Sequence, residues 1–440
     1  MNFNSELANT SGTIWTGDIY MGRLFRMDVV YDTGSDWMVI EGEDCATCEG
    51  GVYPISESVN AGIAKALTEE VSERVYGSAV LKGREYTDTV CILFSVCIED
   101  FEFFLVEEQK GLREPIDGLL GMARNQPYHL LPETGNVAGP LYVEALYKNN
   151  LIPENKFSFF FRDQGNKSWV DFGEPKLDNK HEDVEFAVTQ LIEKDYFWAA
   201  YSQGVAFRDT SPENSFSFQQ IDQFDTEKDG SFYSVLDTGS TAILISQLYY
   251  EAYVNELFAR APGVEWYYKK SNLYTSCDAD MPQLFFMVDN HWLEVNPKDY
   301  MFQTDPVENE CILFLLPTTL PYNVLGMPIF VDYYSVHEPE QGRISWAPHV
   351  TSIKQEVKRA NAPSLEKFIP ISAKENESER IASSALMLSW LATALIMTLI
   401  LGWWFEGEAI QLRRELNPAE FLCVNMTIFI IMVLLAFYVI

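Results

Sequence analysis

Positive charge is scarce in this chain. It carries 31 Lys and Arg against 64 Asp and Glu, a formal net charge of −33 over 440 residues, with no run of five or more basic residues. Gripping a nucleic-acid backbone takes clustered Lys and Arg that displace counterions from the phosphates, so nucleic acid is excluded as a partner. Histidine is rarer still, with five scattered residues, and Cys45-Ala46-Thr47-Cys48 is a C-x-x-C with no second copy to complete a zinc site. No metal and no cofactor are therefore expected. The opening residues, Met1 to Trp15, hold no apolar stretch of the signal-peptide kind, so none is expected in the sequence as it stands. The acidity itself suits a protein that must stay soluble when low pH protonates part of its carboxylates, although a generally acidic proteome gives the same balance.

Against those absences stands ample apolar material. At 47% hydrophobic residues the chain can fill two lobes and still leave further segments. Six of the seven cysteines, Cys45, Cys48, Cys91, Cys97, Cys277 and Cys311, precede the C-terminal tail, and Cys423 lies inside an apolar run. Six thiols in one soluble portion point to an oxidising compartment and up to three disulfides. Many pairings are open; the local one, Cys45–Cys48, Cys91–Cys97 and Cys277–Cys311, is expected. Asn9-Thr-Ser, Asn166-Lys-Ser and Asn376-Glu-Ser match the N-glycosylation triplet, a common pattern by chance.

The most specific feature is a repeat. The stretch VVYDTGSDWM, Val29 to Met38, ends an apolar strand on an aspartate, and FYSVLDTGSTAILIS, Phe232 to Ser246, does so again in the second half of the chain. A buried aspartate is costly unless it is paired, and one Asp-Thr-Gly-Ser alone is only a good turn. Two copies between apolar strands imply two similar lobes. If those lobes bring Asp32 and Asp237 face to face, the carboxyls cannot both ionise cheaply and share one proton. One is then a base and the other an acid at the same pH, which suffices to activate water and protonate a carbonyl oxygen. Gly34 and Gly239 let the backbone turn tightly, with amides free to donate to the carboxylates. Thr33 and Thr238 can hydrogen-bond across the axis, and Ser35 and Ser240 can donate to the outer carboxylate oxygens.

From roughly Gly17 to His349 the chain resembles the pepsin-like aspartic proteases. Beyond the two DTGS copies, TGDIYMG resembles the family's N-terminal strand. PIDGLLGMA (Pro115 to Ala123) and PYNVLGMPIFVDYYSVHEPEQGRISWAP (Pro321 to Pro348) resemble the segments that cross the two active-site loops. FSFFFR followed by WVDFGEP, Phe157 to Pro175, resembles the strand pair that ends the first lobe, and DYFWAAYSQGVAF, Asp195 to Phe207, a strand that lines the cleft. VYGSAVLKGREYTDTV, Val75 to Val90, resembles the family's active-site flap, with Tyr76 as flap tyrosine, Gly77 and Ser78 as backbone donors to substrate, Gly83 at the return of the hairpin, and Ala79 where a second glycine is usual. Trp37 takes the role of the tryptophan that supports the flap tyrosine, two residues earlier than usual. Cys277 and Cys311 fall where the family's second-lobe disulfide does, and Cys45 and Cys48 lie near its first-lobe disulfide. The resemblance implies a mostly β, bilobal fold with pseudo-two-fold symmetry. Residues 1–178 form an N-terminal lobe with Asp32 and the flap, and 179–350 a C-terminal lobe with Asp237. The implied reaction is hydrolysis of an extended polypeptide by a monomeric catalytic unit. The alternative is a catalytically silent peptide-binding or receptor protein on the same fold. The family's usual signal peptide and inhibitory prosegment are not seen before Met1.

The tail reads separately. Residues 351–384 are rich in Lys, Glu, Ser and Asn and form a polar stalk. Two charge-free apolar runs follow, 385–405 and 421–440, separated by a polar loop at 406–420 that holds Arg413 and Arg414. Each run is long enough to cross a bilayer as a helix, so C-terminal transmembrane helices are expected. The paired arginines favour a cytosolic loop and leave the lobes lumenal or extracellular, in an endomembrane, lysosome-like or cell-surface setting.

Overall fold

Strand patterning dominates wherever the chain is described. Along Phe3–Asn9 the buried residues are Phe3, Ser5 and Leu7, with exposed Asn4 and Glu6 between them, the period-two alternation of a half-buried strand. The end of Phe25–Asp32, from residue 29 to 32, and all of Gly118–Gly121 are instead buried at every residue, as central strands are. The computed structural model describes residues 2–9, 14–77, 79–112, 115–124, 139–162, 167–192, 197–208, 216–219, 233–247, 250–305, 307–354 and 357–359. Among them the fold is mostly β, with sheets of 14, nine and four strands and a few short helices, the longest being Tyr250–Ala259.

One three-strand unit occurs twice. Phe25–Asp32 runs parallel to Gly118–Gly121, which also pairs antiparallel with Met38–Glu41. In the second half, Tyr233–Leu236 runs parallel to Asn323–Leu325, which pairs antiparallel with Ile243–Ser246. A short strand thus slips between the two strands that flank each Asp-Thr-Gly-Ser turn. Backbone bonds pin it there: Met122 N–H donates to the Asp32 carbonyl at 2.7 Å and Met327 N–H to the Ser240 carbonyl at 2.8 Å.

The halves are joined by a common sheet. Phe157–Phe160 pairs with Tyr333–Glu338, and Ala187–Gln190 with Arg343–Pro348, in the sheet that also holds Phe3–Asn9. Under that junction lies an aromatic core in which the His337 ring stacks on Phe157 with centroids 4.7 Å apart and meets Trp198 edge-on at 4.8 Å. The disulfides Cys45–Cys48, Cys91–Cys97 and Cys277–Cys311 are all formed, as the local pairing anticipates.

The first residues of the expected stalk are packed onto the body. Ser352 and Lys354 are buried, and the Lys354 ammonium donates to the Val331 carbonyl at 3.0 Å and lies over the Tyr333 ring. Lys358–Arg359 then pairs with the strand His291–Val295. The chain divides into two compact units, Met1–Pro370 and Ile371–Ile440. The second unit, which contains both apolar runs, and the triplets at Asn166 and Asn376 lie outside the described residues. Among the described residues no helix is long and apolar enough to cross a membrane. The Asn9 amide is buried at the end of its strand.

Candidate active site

The two Asp-Thr-Gly-Ser turns meet. Thr33 N–H donates to Thr238 Oγ1 at 3.1 Å, and Thr238 N–H donates to Thr33 Oγ1 at 2.9 Å. Each hydroxyl then crosses to the other turn's strand, Thr33 Oγ1 to the Leu236 carbonyl at 2.9 Å and Thr238 Oγ1 to the Tyr31 carbonyl at 2.6 Å. Four reciprocal, buried hydrogen bonds lock the turns, with partners that exchange under an approximate two-fold.

The same bracket brings the carboxyls together. A Cβ added to Gly34 would strike the Asp237 carboxylate, and one added to Gly239 would strike that of Asp32. Only glycine allows this mutual approach. Asp32 is buried and accepts from Gly34 N–H at 2.8 Å and from Ser35 Oγ at 2.6 Å. Asp237 accepts from Gly239 N–H at 2.8 Å. Burial, the Asp32 charge and a side-chain hydrogen bond to Asp32 hold the Asp237 carboxyl well above the usual carboxylate range, against the backbone donors Gly239 and Ser240. Two carboxyls held this close in a buried site share one proton between them. The expected symmetry of the serines does not hold: Ser240 Oγ donates to the Ala242 carbonyl at 3.0 Å, while its backbone N–H serves Asp237. The turn after Asp237 is pinned by Gly326 and Met327 from below, so the hydroxyl bonds within its own loop.

The hairpin over this pair begins with Ser72–Val75, antiparallel to the start of Val80–Leu93. Tyr76 and Ala79 close it through reciprocal backbone bonds of 2.8 and 3.3 Å, so the turn is Gly77-Ser78; Ser78 itself lies outside the described residues. Gly77 is exposed, and a Cβ there would meet nothing. Tyr76 is half-buried against a cluster that includes Trp37, Phe104 and Ala79. Burial and the charges of Asp36 and Asp32 push its phenol well up, with Arg74 opposing. Tyr76 thus hangs within electrostatic reach of Asp32. Gly83 is not at the return of the hairpin. It sits inside the strand, opposite Ser72 and at a bulge where a Cβ would collide with the Leu105 carbonyl.

Trp37 is buried, edge-on to Phe104, and shares the Tyr76 cluster. Trp198, from the segment expected to line the cleft, is turned into the core and donates its indole N–H to the Met122 carbonyl at 2.8 Å. Two residues escape the sequence reading. Asp36, which accepts from Gly139 N–H at 2.7 Å, is raised by burial, and Arg74 is buried behind Tyr76. Strand alternation carried back from Tyr76 already puts Arg74 on the same face. Among the described residues no group of His, Cys, Asp and Glu is arranged to hold a metal ion.

A β protein that brings two such turns together around one shared proton has the makings of a two-carboxyl acid–base catalyst. The model of the eukaryotic aspartyl protease family matches residues 15–349, and the chain belongs to that family. That family is the pepsin-like aspartic proteases, hydrolases of polypeptides, some of whose members are inactive. A comparison with curated proteins gave no match.

Proposed function

We propose that this chain is a membrane-tethered aspartic endopeptidase in which Asp32 and Asp237 are the catalytic pair. One observation carries the reading: the reciprocal threonine bracket brings the two Asp-Thr-Gly-Ser turns together, so that Gly34 lies against the Asp237 carboxyl and Gly239 against that of Asp32. Asp32 takes a proton from a water held between the carboxyls, and that water attacks the peptide carbonyl. Asp237 gives its proton to the carbonyl oxygen as the tetrahedral gem-diol forms. On collapse the C–N bond breaks, Asp32 gives its proton to the departing amine nitrogen, and a diol hydroxyl returns one to Asp237 as the new carboxyl group forms, so the pair again holds one shared proton. Ser35 and the Gly34 amide donate to Asp32 and orient it, and Thr33 and Thr238 fix the two turns.

The lobes 1–178 and 179–350 supply one aspartate each, and the polypeptide lies extended between them under Tyr76 and Gly77. Backbone hydrogen bonds give affinity there and side-chain pockets give selectivity. The apolar cluster under Tyr76 favours apolar side chains beside the cut. The two charge-free runs beyond residue 384 support a bilayer anchor, and the three disulfides support a lumenal or extracellular catalytic body.

Cleavage of a mixed peptide library by the full chain in detergent, from pH 3 to 7 and with and without pepstatin, tests this. Pepstatin-sensitive cleavage lost in both Asp32→Asn and Asp237→Asn is expected. A folded wild-type chain that binds peptides and cuts none would favour the silent binding protein.

A further inference from the structure

The face of the flap that carries Tyr76 also holds a buried cation. Along Ser72–Val75 alternation puts Ser72 and Arg74 on the side of Tyr76, and leaves Glu73 and Val75 exposed. The Arg74 side chain is 3% exposed. Burying a guanidinium is costly unless its charge and donors are met. Here Nη2 bonds Glu85 Oε1 at 2.5 Å, and Nη1 donates to Ser72 Oγ and the Glu73 carbonyl, both at 3.3 Å. The guanidinium lies 4.8 Å from the Trp37 ring centroid and 4.9 Å from that of Phe104. Nε has no hydrogen-bond partner among the described residues.

The origins of these groups matter. Ser72, Glu73 and Glu85 belong to the hairpin itself, whereas Trp37 follows the first catalytic turn and Phe104 lies in the strand Val96–Lys110. The charges facing Arg74 are Glu85 on the return strand, Glu102 on the strand beyond, Asp36 in the first turn and the Tyr76 phenol. The return strand is tied to Val96–Lys110 by a backbone ladder that reaches Val80, whereas Arg74 links the outer strand Ser72–Val75 to Trp37 beside the first turn and to Phe104 by ring contacts. An apolar side chain would satisfy stability alone, since replacing a buried ion pair by well-packed apolar groups is often neutral.

We propose that Arg74 is a positioning residue that latches the flap over the carboxyl pair, by stacking its guanidinium on Trp37 and Phe104 while Glu85 holds it from behind. This rests on the endopeptidase reading for its consequence in catalysis, though not for the latch. With the latch gone, the closed hairpin is populated less, and apparent affinity for polypeptide falls by that fraction while chemistry in the closed state is unchanged.

The test compares the wild-type full chain in detergent with Arg74→Met, Arg74→Lys and Glu85→Gln, by peptide kinetics and by amide hydrogen exchange. In Arg74→Met we expect KM to rise about tenfold with kcat within about twofold, and flap amides at 72–80 to exchange about tenfold faster while the rest of the chain is unchanged. Arg74→Lys keeps the charge without the planar fork and should fall between. Unchanged flap exchange, or exchange raised equally everywhere, would overturn the latch. Should Arg74→Met fail to fold, flap exchange in Glu85→Gln decides: a local rise supports the latch, and none overturns it. A wild-type chain that cuts nothing overturns the endopeptidase reading, and the exchange data still judge Arg74.

Discussion

At the scale of single residues, the two serines of the repeated tetrapeptide do different things. Ser35 donates 2.6 Å to the Asp32 carboxylate, whereas Ser240 bonds the Ala242 carbonyl. A hydrogen bond to a charged group contributes about 1.5–3 kcal/mol. Ser35→Ala is therefore expected to lower kcat/KM by about ten- to a hundredfold, and Ser240→Ala by no more than about threefold. Equal losses would mean that the Ser240 hydroxyl turns to Asp237 when substrate is bound. Gly239→Ala would drive a methyl group into the Asp32 carboxylate. It should abolish cleavage in a protein that still melts cooperatively, which calorimetry and an activity assay can establish together.

At the scale of elements, the bracket and the flap have separate signatures. Thr238→Val removes the hydroxyl that serves both the Thr33 N–H and the Tyr31 carbonyl. Each buried group left unpaired costs about 1–3 kcal/mol, so the thermal midpoint should fall by several degrees. Ala79 is buried in the Tyr76 cluster. Ala79→Gly should cost about 1 kcal/mol and, by freeing the turn, broaden the set of peptides cut; an unchanged cleavage map would show that Ala79 does not restrain the flap. The repeated turn, the strand entering it, the hairpin at Tyr76 and the local disulfide pairing are all set by nearby sequence, and all were legible there. The orientation of the Ser240 hydroxyl, the bulge at Gly83 and the burial of Arg74 are not. Each depends on which distant strand lies alongside: Asn323–Leu325 below the second turn, and Val96–Lys110 behind the hairpin. Composition likewise marks 351–384 as polar, but does not show that Lys354 finds the Val331 carbonyl and the Tyr333 ring.

At the scale of the whole molecule, the junction between the halves sets an acid limit. His337, fully buried among Phe157, Phe159, Trp198 and Phe330, is pushed down to about 3 by burial. His349 is pushed down to about 4 by burial, against the attraction of Asp332. A histidine whose folded pKa lies below its unfolded value of about 6.5 takes up its proton more readily on unfolding. Its contribution is intact above that value and erodes as pH falls from about 6.5 toward about 3, by about 1.4 kcal/mol per pH unit at full slope. Thermal midpoints should therefore drop across that window in the wild-type chain, and less steeply in His337→Gln. A parallel decline in both would assign acid sensitivity elsewhere. The proposed activity is thus expected in mild rather than strong acid.

The shared proton on the carboxyl pair is tested most directly by the pH dependence of kcat/KM for one peptide that the wild-type chain cleaves. The expected profile is a bell. It falls on the acid side as the pair takes up a second proton, and on the alkaline side as Asp237 loses the one it shares with Asp32. A rate that rises steadily through neutral pH, with no alkaline limb, would contradict a pair that works by sharing one proton.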